Sequence, residues 1–572
     1  MSLSDSLTSR LPTLGPILFR GVRHSVAVAS QLSELVRRSG LWIRSLICLG
    51  FLFLELRYIT TLPLVMDEFA QARHISRLLG GIPYRDYTPY KTILGYFIQL
   101  PALLLSDDPW WSLIVVKIAI AVATTVCIFF LGIWLAKRYG EAPAVGALLL
   151  LVTHSTFLAR SSELRVDMLS ALFGTASIAL LVDKRVRYSG FLAGLGVLCT
   201  QKAIYFPVAG CATLGIEFLL FPTKKRQVYC LQYLGAMSFA IVCYLIIALL
   251  IGDSQRVYDS VFVGPKAMAL GENYPGIRDF WRQTLEFNPV AYGLPLAGVV
   301  VLLFGTGKRK ADLTLLFVAV ALTGLCVWHK QPWPYFFVLL IPTLTIVTAG
   351  VLARFPRAGF TSIIVAIVLL QGSFNSLGKR TQSALSRSWE VQKNTVEGAH
   401  AFLESQQTYF SGVELLWQHQ HIEGIGWLDA VRIREHIQNP EVLLFRLQSH
   451  PPRLIINNYR VQNLHPSVKE WLNLHYTFIG GNLGLFFIEV LSSQSQVHTG
   501  EGGVFRLEAP QGAKVRIAGA QVSSGDVIQV VPGRIDVTTD SKIRLVAWST
   551  KSRFLEQIQN PPAGLFYGIY SY

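Results

Sequence analysis

Carboxylates and cations meet at the ends of apolar runs in several places along this chain, and that is where chemistry is to be sought. Asp67-Glu68 stands just after the first long apolar stretch, and Ser161-Ser162-Glu163-Leu164-Arg165-Val166-Asp167 lies between two later ones. Thr200-Gln201-Lys202 and Trp328-His329-Lys330-Gln331-Pro332-Trp333-Pro334-Tyr335 interrupt two more. Between the first two motifs runs Gly80-Gly81-Ile82-Pro83-Tyr84-Arg85-Asp86-Tyr87-Thr88-Pro89-Tyr90-Lys91, a turn-rich segment dense in aromatics and cations. Paired carboxylates supply a base or stabilise developing positive charge, and a ring of lysines and arginines suits a phosphate. Each motif also has a plain reading. Asp67 at the start of a helix can be its N-cap, Lys202 can snorkel, and Trp and Tyr at span ends form the usual aromatic belt.

Composition decides what kind of protein carries these groups. The chain has 572 residues, 52% hydrophobic and only 15% charged, with a mean hydropathy of +0.43; soluble domains average roughly 25% charge. Apolar runs near the length of a membrane span recur at 41–62, 111–136, 142–160, 167–183, 189–202, 203–221, 229–252, 290–306, 311–328, 335–353 and 358–374, which predicts about eleven spans. The net charge of +16 does not point to nucleic acid, because the basic residues concentrate in the N-terminal tail and in short loops between runs. All seven cysteines lie in apolar runs with no CxxC or Cys/His cluster, so neither disulfides nor thiolate metal sites are expected.

Charge placement also orders the loops. Ile93–Leu105 is apolar but short and contains Pro101. Laid on the surface, it leaves Lys137-Arg138, Lys184-Arg185-Arg187, Lys224-Lys225-Arg226, Lys308-Arg309-Lys310 and Arg354/Arg357 inside; made to span, it puts all of them outside. The surface reading places segments 63–110, 161–166, 253–289, 329–334 and everything after 375 on the outer side, so the candidate residues share one face. Lys117 and Glu217, within spans, read as isolated structural or snorkelling charges. The expected organisation is a cytoplasmic tail over 1–40, a transmembrane domain over 41–374, a soluble α/β region over 375–492 and a small β-sandwich over 493–572. In the last two, 390–406 and 466–472 read as helical, and 452–457, 504–507, 514–517, 527–531 and 543–548 as strands.

The order and common sidedness of these motifs resemble the C-type (GT-C) superfamily of membrane glycosyltransferases. The matching features are Asp67-Glu68 before an amphipathic helix, the Gly80–Asp86 turn, Lys91…Gly95-Tyr96, Arg165-x-Asp167, Thr200-Gln201-Lys202 and Lys330…Tyr335. The subgroup resembled is the bacterial relatives of protein O-mannosyltransferases and of the lipid A aminoarabinose transferase, over residues 41–353. Ala203 departs from it, since relatives often have Thr-Lys-Gly at that point.

The resemblance implies a polytopic inner-membrane enzyme that moves a sugar from a polyprenyl-phosphate donor to a hydroxyl of a lipid, glycan or protein, with its site and C-terminal domain in the periplasm. It implies Asp67, Glu68 and Asp167 as catalytic carboxylates, with Lys91, Arg165, Lys202 and Lys330 on the donor phosphate. Arg85, Tyr87, Tyr90, Glu163 and His329 would bind substrate. A magnesium or manganese ion bridging Asp67, Asp167 and phosphate is compatible with this set, although no ligand spacing calls for one. The rival readings are a polymerase or ligase using a diphosphate-linked donor, a lipid or glycan transporter, and a non-catalytic anchor for the C-terminal region.

Overall fold

The computed structural model describes residues 39–89, 91–264, 266, 278–304, 310–354, 388–422, 439–479, 482–491, 496–499, 502–549 and 565–566. The tail over 1–38 and the expected span over 358–374 fall outside them. Among the described residues, four helices are long and apolar enough to cross a membrane: Ser39–Ile59 (α1), Pro109–Tyr139 (α4), Gln201–Leu220 and Lys224–Ile251 (α10). The third opens as a short 3-10 turn, Gln201–Ile204, that leads into Tyr205–Leu220 (α9). Shorter apolar helices complete the bundle, among them Glu141–Val152 (α5), Val166–Val182 (α7) and Val186–Cys199 (α8). The chain is a membrane-embedded helical protein with a C-terminal β-sheet region.

Two helices lie outside this pattern and build the surface at one end of the bundle. Met66–Gly80 (α2) is amphipathic, burying Met66, Phe69, Ala72 and Ile75 on one face. Leu94–Leu103 (α3) has ten residues, about 15 Å of helix against a hydrocarbon core of about 30 Å. It is too short to span. Instead it caps the bundle: Thr92 donates to the Val197 carbonyl at 3.2 Å and Gln99 to the Arg165 carbonyl at 3.1 Å. Gly95 permits the close approach, because a Cβ there would stand 2.6 Å from a Val166 methyl.

Opposite this surface, charges pair at the other ends of the helices. Arg44 bonds Glu141, Arg138 meets Asp183 at 2.7 Å, and Lys184 meets Glu217 at 2.8 Å. Glu217 is therefore not isolated as its sequence context suggests. It closes an ion pair at a helix end.

The C-terminal region departs from its expected division. Strand Leu483–Val490, from the first expected part, pairs antiparallel with Ile543–Ala547 from the second and with Leu454–Ile456 on its other edge. One eight-stranded sheet therefore crosses the boundary drawn at 492/493, and a four-stranded sheet accompanies it. Alternation explains the second sheet: Arg534–Thr539 is exposed and buried at successive positions.

This domain is docked on α2. Gln392 makes reciprocal bonds to the Leu64 backbone at 2.8 and 2.9 Å, Arg77 pairs with Glu414 at 3.0 Å, and Arg73 donates to the Trp417 carbonyl at 2.9 Å. The Trp417 indole reaches the Pro109 carbonyl at 3.1 Å.

Candidate active site

Asp67 is not the cap of its helix. Val65 takes the cap position, and Glu68 reaches back to accept its backbone N–H at 2.8 Å. Asp67, one residue earlier than Glu68, turns the other way and bonds the Arg165 guanidinium. Arg165 also donates through Nε to Asp167 at 3.1 Å, and Lys202 lies 3.7 Å from the other Asp167 oxygen. The ring of Tyr335 forms the floor, with the Arg165 guanidinium 3.5 Å and the Lys202 ammonium 4.2 Å from its centroid. His329 closes the side, bonding the Tyr205 hydroxyl at 2.8 Å and stacking on Phe336.

Each charged group is fixed by an element that the sequence dictates. The 161–165 loop is held at three points. Ser161 donates to Glu55 at 2.9 Å, the Leu164 amide to Glu68 at 2.8 Å, and the Arg165 carbonyl accepts from Gln99. Arg165 thus leaves the backbone at a fixed place, 4% exposed along its side chain. Lys202 rides on the 3-10 turn between α8 and α9. Lys91, 7% exposed, comes from the loop before α3.

Electrostatics ties these groups together. Burial works against the Asp67 charge, but Arg165 outweighs it and holds the carboxyl below the usual carboxylate range; Lys91 adds to the effect. Burial pulls the Lys91 ammonium down to about 7, opposed by the Asp167 carboxylate and reinforced by Lys202 and Arg165. His329 is lowered to about 4, first by burial and then by Lys202. The cluster therefore holds an ionised Asp67 beside a lysine poised to gain or lose its proton near neutrality.

Several expected site residues are placed elsewhere. Glu68 is 1% exposed and receives the Lys117 ammonium at 2.6 Å, so it anchors α2 to α4 and the 161–165 loop and cannot touch a substrate. Lys117 is accordingly a buried partner, not a snorkelling charge. Glu163 is buried against Arg160, and burial pushes its carboxyl up. Asp167 is 1% exposed between Arg165 and Lys202, which makes it the anchor of two cations.

Arg85 pairs with its neighbour Asp86 on an exposed turn. That turn is fastened to the end of α10 through Tyr84, whose hydroxyl meets Tyr244 and whose carbonyl accepts from Asp253. Tyr87 shares this turn, facing Arg77. Lys330 is exposed and makes no ion pair with Asp67 or Asp167. Tyr90 lies outside the described residues. Tyr335, which the sequence offers as a belt aromatic and as the end of the Lys330…Tyr335 motif, carries both cations.

The carboxylates also bear on a metal. Asp67 and Asp167 are bridged by a guanidinium, and among the described residues no group of three or more His, Cys, Asp or Glu is placed to hold an ion. The donor set thus shows an arginine where a bridging cation would sit.

Known structures share this architecture. The crystal structure of ArnT from Cupriavidus metallidurans bound to undecaprenyl phosphate matches with a TM-score of 0.56 and 11% identity, covering 77% of this chain and 97% of that one. The same protein in the apo state matches at 0.55 and 12% identity, with the same coverage. The chain has the C-type fold. The arabinosyltransferase EmbB from Mycobacterium smegmatis is a looser match, with a TM-score of 0.42 and 10% identity, covering 91% of this chain and 67% of that one. No protein-family model and no curated protein matches the chain. Within this fold, α2, α3 and the 161–165 loop form the surface that assembles the charged cluster.

Proposed function

We propose that the chain is a membrane glycosyltransferase that moves a sugar from a polyprenyl-phosphate donor to an acceptor hydroxyl. The observation that carries this reading is the partly open ionic cluster at one end of the bundle. Asp67 is 24% and Lys202 21% exposed, while Arg165 and Asp167, which hold them, are sealed. The C-type fold and the undecaprenyl phosphate bound to ArnT support it.

The roles follow from charge and position. The sugar–phosphate bond breaks with its electron pair going to the phosphate oxygen, and no general acid is needed, because the leaving group departs as an anion. Lys91 and Lys202 hold that phosphate. A donor phosphate keeps Lys91 protonated, adding to the Asp167 and Asp67 carboxylates that already offset part of the burial of its charge. Asp67 takes the acceptor's proton. A carboxylate of depressed pKa does not ionise an alcohol beforehand; it accepts the proton as the new C–O bond forms and the hydroxyl becomes acidic. Arg165 aims Asp67 and keeps it charged. One displacement inverts the anomeric centre. The site faces the periplasm of an inner membrane, and Arg165 supplies the positive charge between the two carboxylates.

Purified protein in detergent is offered polyprenyl-phosphate and polyprenyl-diphosphate sugars, and release of the lipid phosphate is followed. Consumption of a monophosphate donor by the wild type and not by Asp67→Asn is the expected result. Consumption of diphosphate donors alone would point to a polymerase or ligase. A folded protein that consumes neither would sink the reading.

A further inference from the structure

The C-terminal domain sends one segment to the mouth of the cluster. After the buried strand Leu454–Ile456, Asn458 pins a tight turn: its Oδ1 accepts from the Arg460 amide at 3.0 Å, and its Nδ2 donates to the Ser411 carbonyl at 2.7 Å. The Tyr459 hydroxyl then donates to Met66 Sδ at 2.8 Å, and Arg460 Nε donates to that hydroxyl at 3.1 Å. A second guanidinium nitrogen reaches the Gly412 carbonyl at 3.4 Å. Met66 is the residue before Asp67, so the C-terminal domain touches the first turn of the helix that carries the candidate base, and the Arg460 guanidinium is held one hydroxyl away from that contact. It is 7% exposed. An apolar side chain would close a domain interface at less desolvation cost, as Phe566 does against Phe69 nearby.

We propose that Arg460 is a positioning residue for Asp67, supplied by the C-terminal domain, so that the site is complete only when this domain is docked on α2. This rests on the reading of Asp67 as the base. Asp67 bonds Arg165 from the 161–165 loop, while Lys91 from the loop before α3, Lys202 and Tyr335 from the bundle and Arg460 from the C-terminal domain act on it electrostatically, with Asp167 across Arg165. All the cations among these favour the ionised carboxylate, and Arg460 is the one that the membrane domain does not provide. Its neutral replacement removes one of them and makes Asp67 easier to protonate.

The full-length protein is compared with Arg460→Gln, Arg460→Lys and Arg77→Gln, the last weakening the docking contact to Glu414 without facing Asp67. Protonation of Asp67 is read directly by carbodiimide–amine labelling across pH and peptide mass spectrometry. Turnover is read as kcat/KM against pH with the donor that the wild type consumes.

Arg460→Gln should raise the labelling midpoint and the acid limb of kcat/KM together, with activity recovering at higher pH. Arg460→Lys should restore both, and Arg77→Gln should leave the midpoint in place. An unchanged midpoint in Arg460→Gln, or an activity loss equal at all pH values with a lowered melting temperature, would overturn the proposal. A shifted midpoint in a protein that consumes no donor would sink the proposed function and leave the role of Arg460 standing.

Discussion

Two ionic clusters lie side by side at one end of this bundle, and adjacent residues of one helix belong to different ones. Asp67 joins Arg165, Asp167, Lys202 and Lys91; Glu68 joins Lys117, with Glu163–Arg160 and Glu55 close by. Successive helical positions point about 100° apart, which suffices to send one carboxylate to the surface and the other into the core. The inner cluster is closed: Glu68 and Lys117 are 1% and 7% exposed along their side chains and meet at 2.6 Å. The outer cluster is open on one side and has more cations than carboxylates. A buried pair that meets directly, as Glu68 and Lys117 do, holds structure, whereas a partly open site with surplus positive charge suits an anion. Charge inside a membrane protein is thus no sign of function until its balance and its exposure are known.

The sharpest way to break this comparison is to neutralise each of the two neighbours. Asp67→Asn should lower turnover by about 10²–10⁴-fold while the melting temperature in detergent stays close to that of the wild type. Glu68→Gln should do the reverse in emphasis. It leaves the Lys117 ammonium buried without its carboxylate, a loss of about 3–5 kcal/mol that appears as lower thermal stability and yield. Adding Lys117→Met should recover much of that stability, because removing both partners leaves no uncompensated charge. Equal destabilisation by Asp67→Asn and Glu68→Gln would erase the distinction between the clusters.

The sequence made the outer cluster legible through sidedness. Asp67, Arg165, Lys202 and the short helix after Lys91 were placed on one face by where the basic loops fall. The structure brings these groups together for the reason given by Gln99 and Gly95, which let α3 lie across the ends of α7 and α8. The split between Asp67 and Glu68 was not legible, because it depends on which residue satisfies the orphan amide of Val65. Lys117 and Glu217 read as solitary because their partners lie on other helices.

In the C-terminal region the alternating strands were readable, but the sheet that joins them across residue 492 depends on pairings between distant segments. Tyr459 meets Met66 across 393 positions of chain. No local pattern reports a contact of that kind.

Within the outer cluster, Lys91 supplies a pH test. Its depressed pKa, about 7 by burial, means that the ligand-free ammonium is charged below neutrality and neutral above it. Donor affinity should therefore be constant below pH 7 and fall with rising pH beyond it, by up to about tenfold per unit. Lys91→Met should bind weakly at every pH and show no such slope. A slope that survives in Lys91→Met would place the titrating group elsewhere.

The smallest effect belongs to Lys330. Its neighbour His329 is part of the site wall, bonded to Tyr205 and stacked on Phe336, whereas the Lys330 side chain is exposed. An exposed charge is surrounded by water and screened by salt within about 10 Å at 0.1 M, so on the proposed reading it contributes less to the donor phosphate than Lys91 and Lys202. Lys330→Met should change KM for the donor by less than about twofold, against a large rise for Lys202→Met. A loss in Lys330→Met as large as that in Lys202→Met would mean that the 329–335 segment folds over the bound donor. The boundary of the outer cluster would then have to be redrawn to include it.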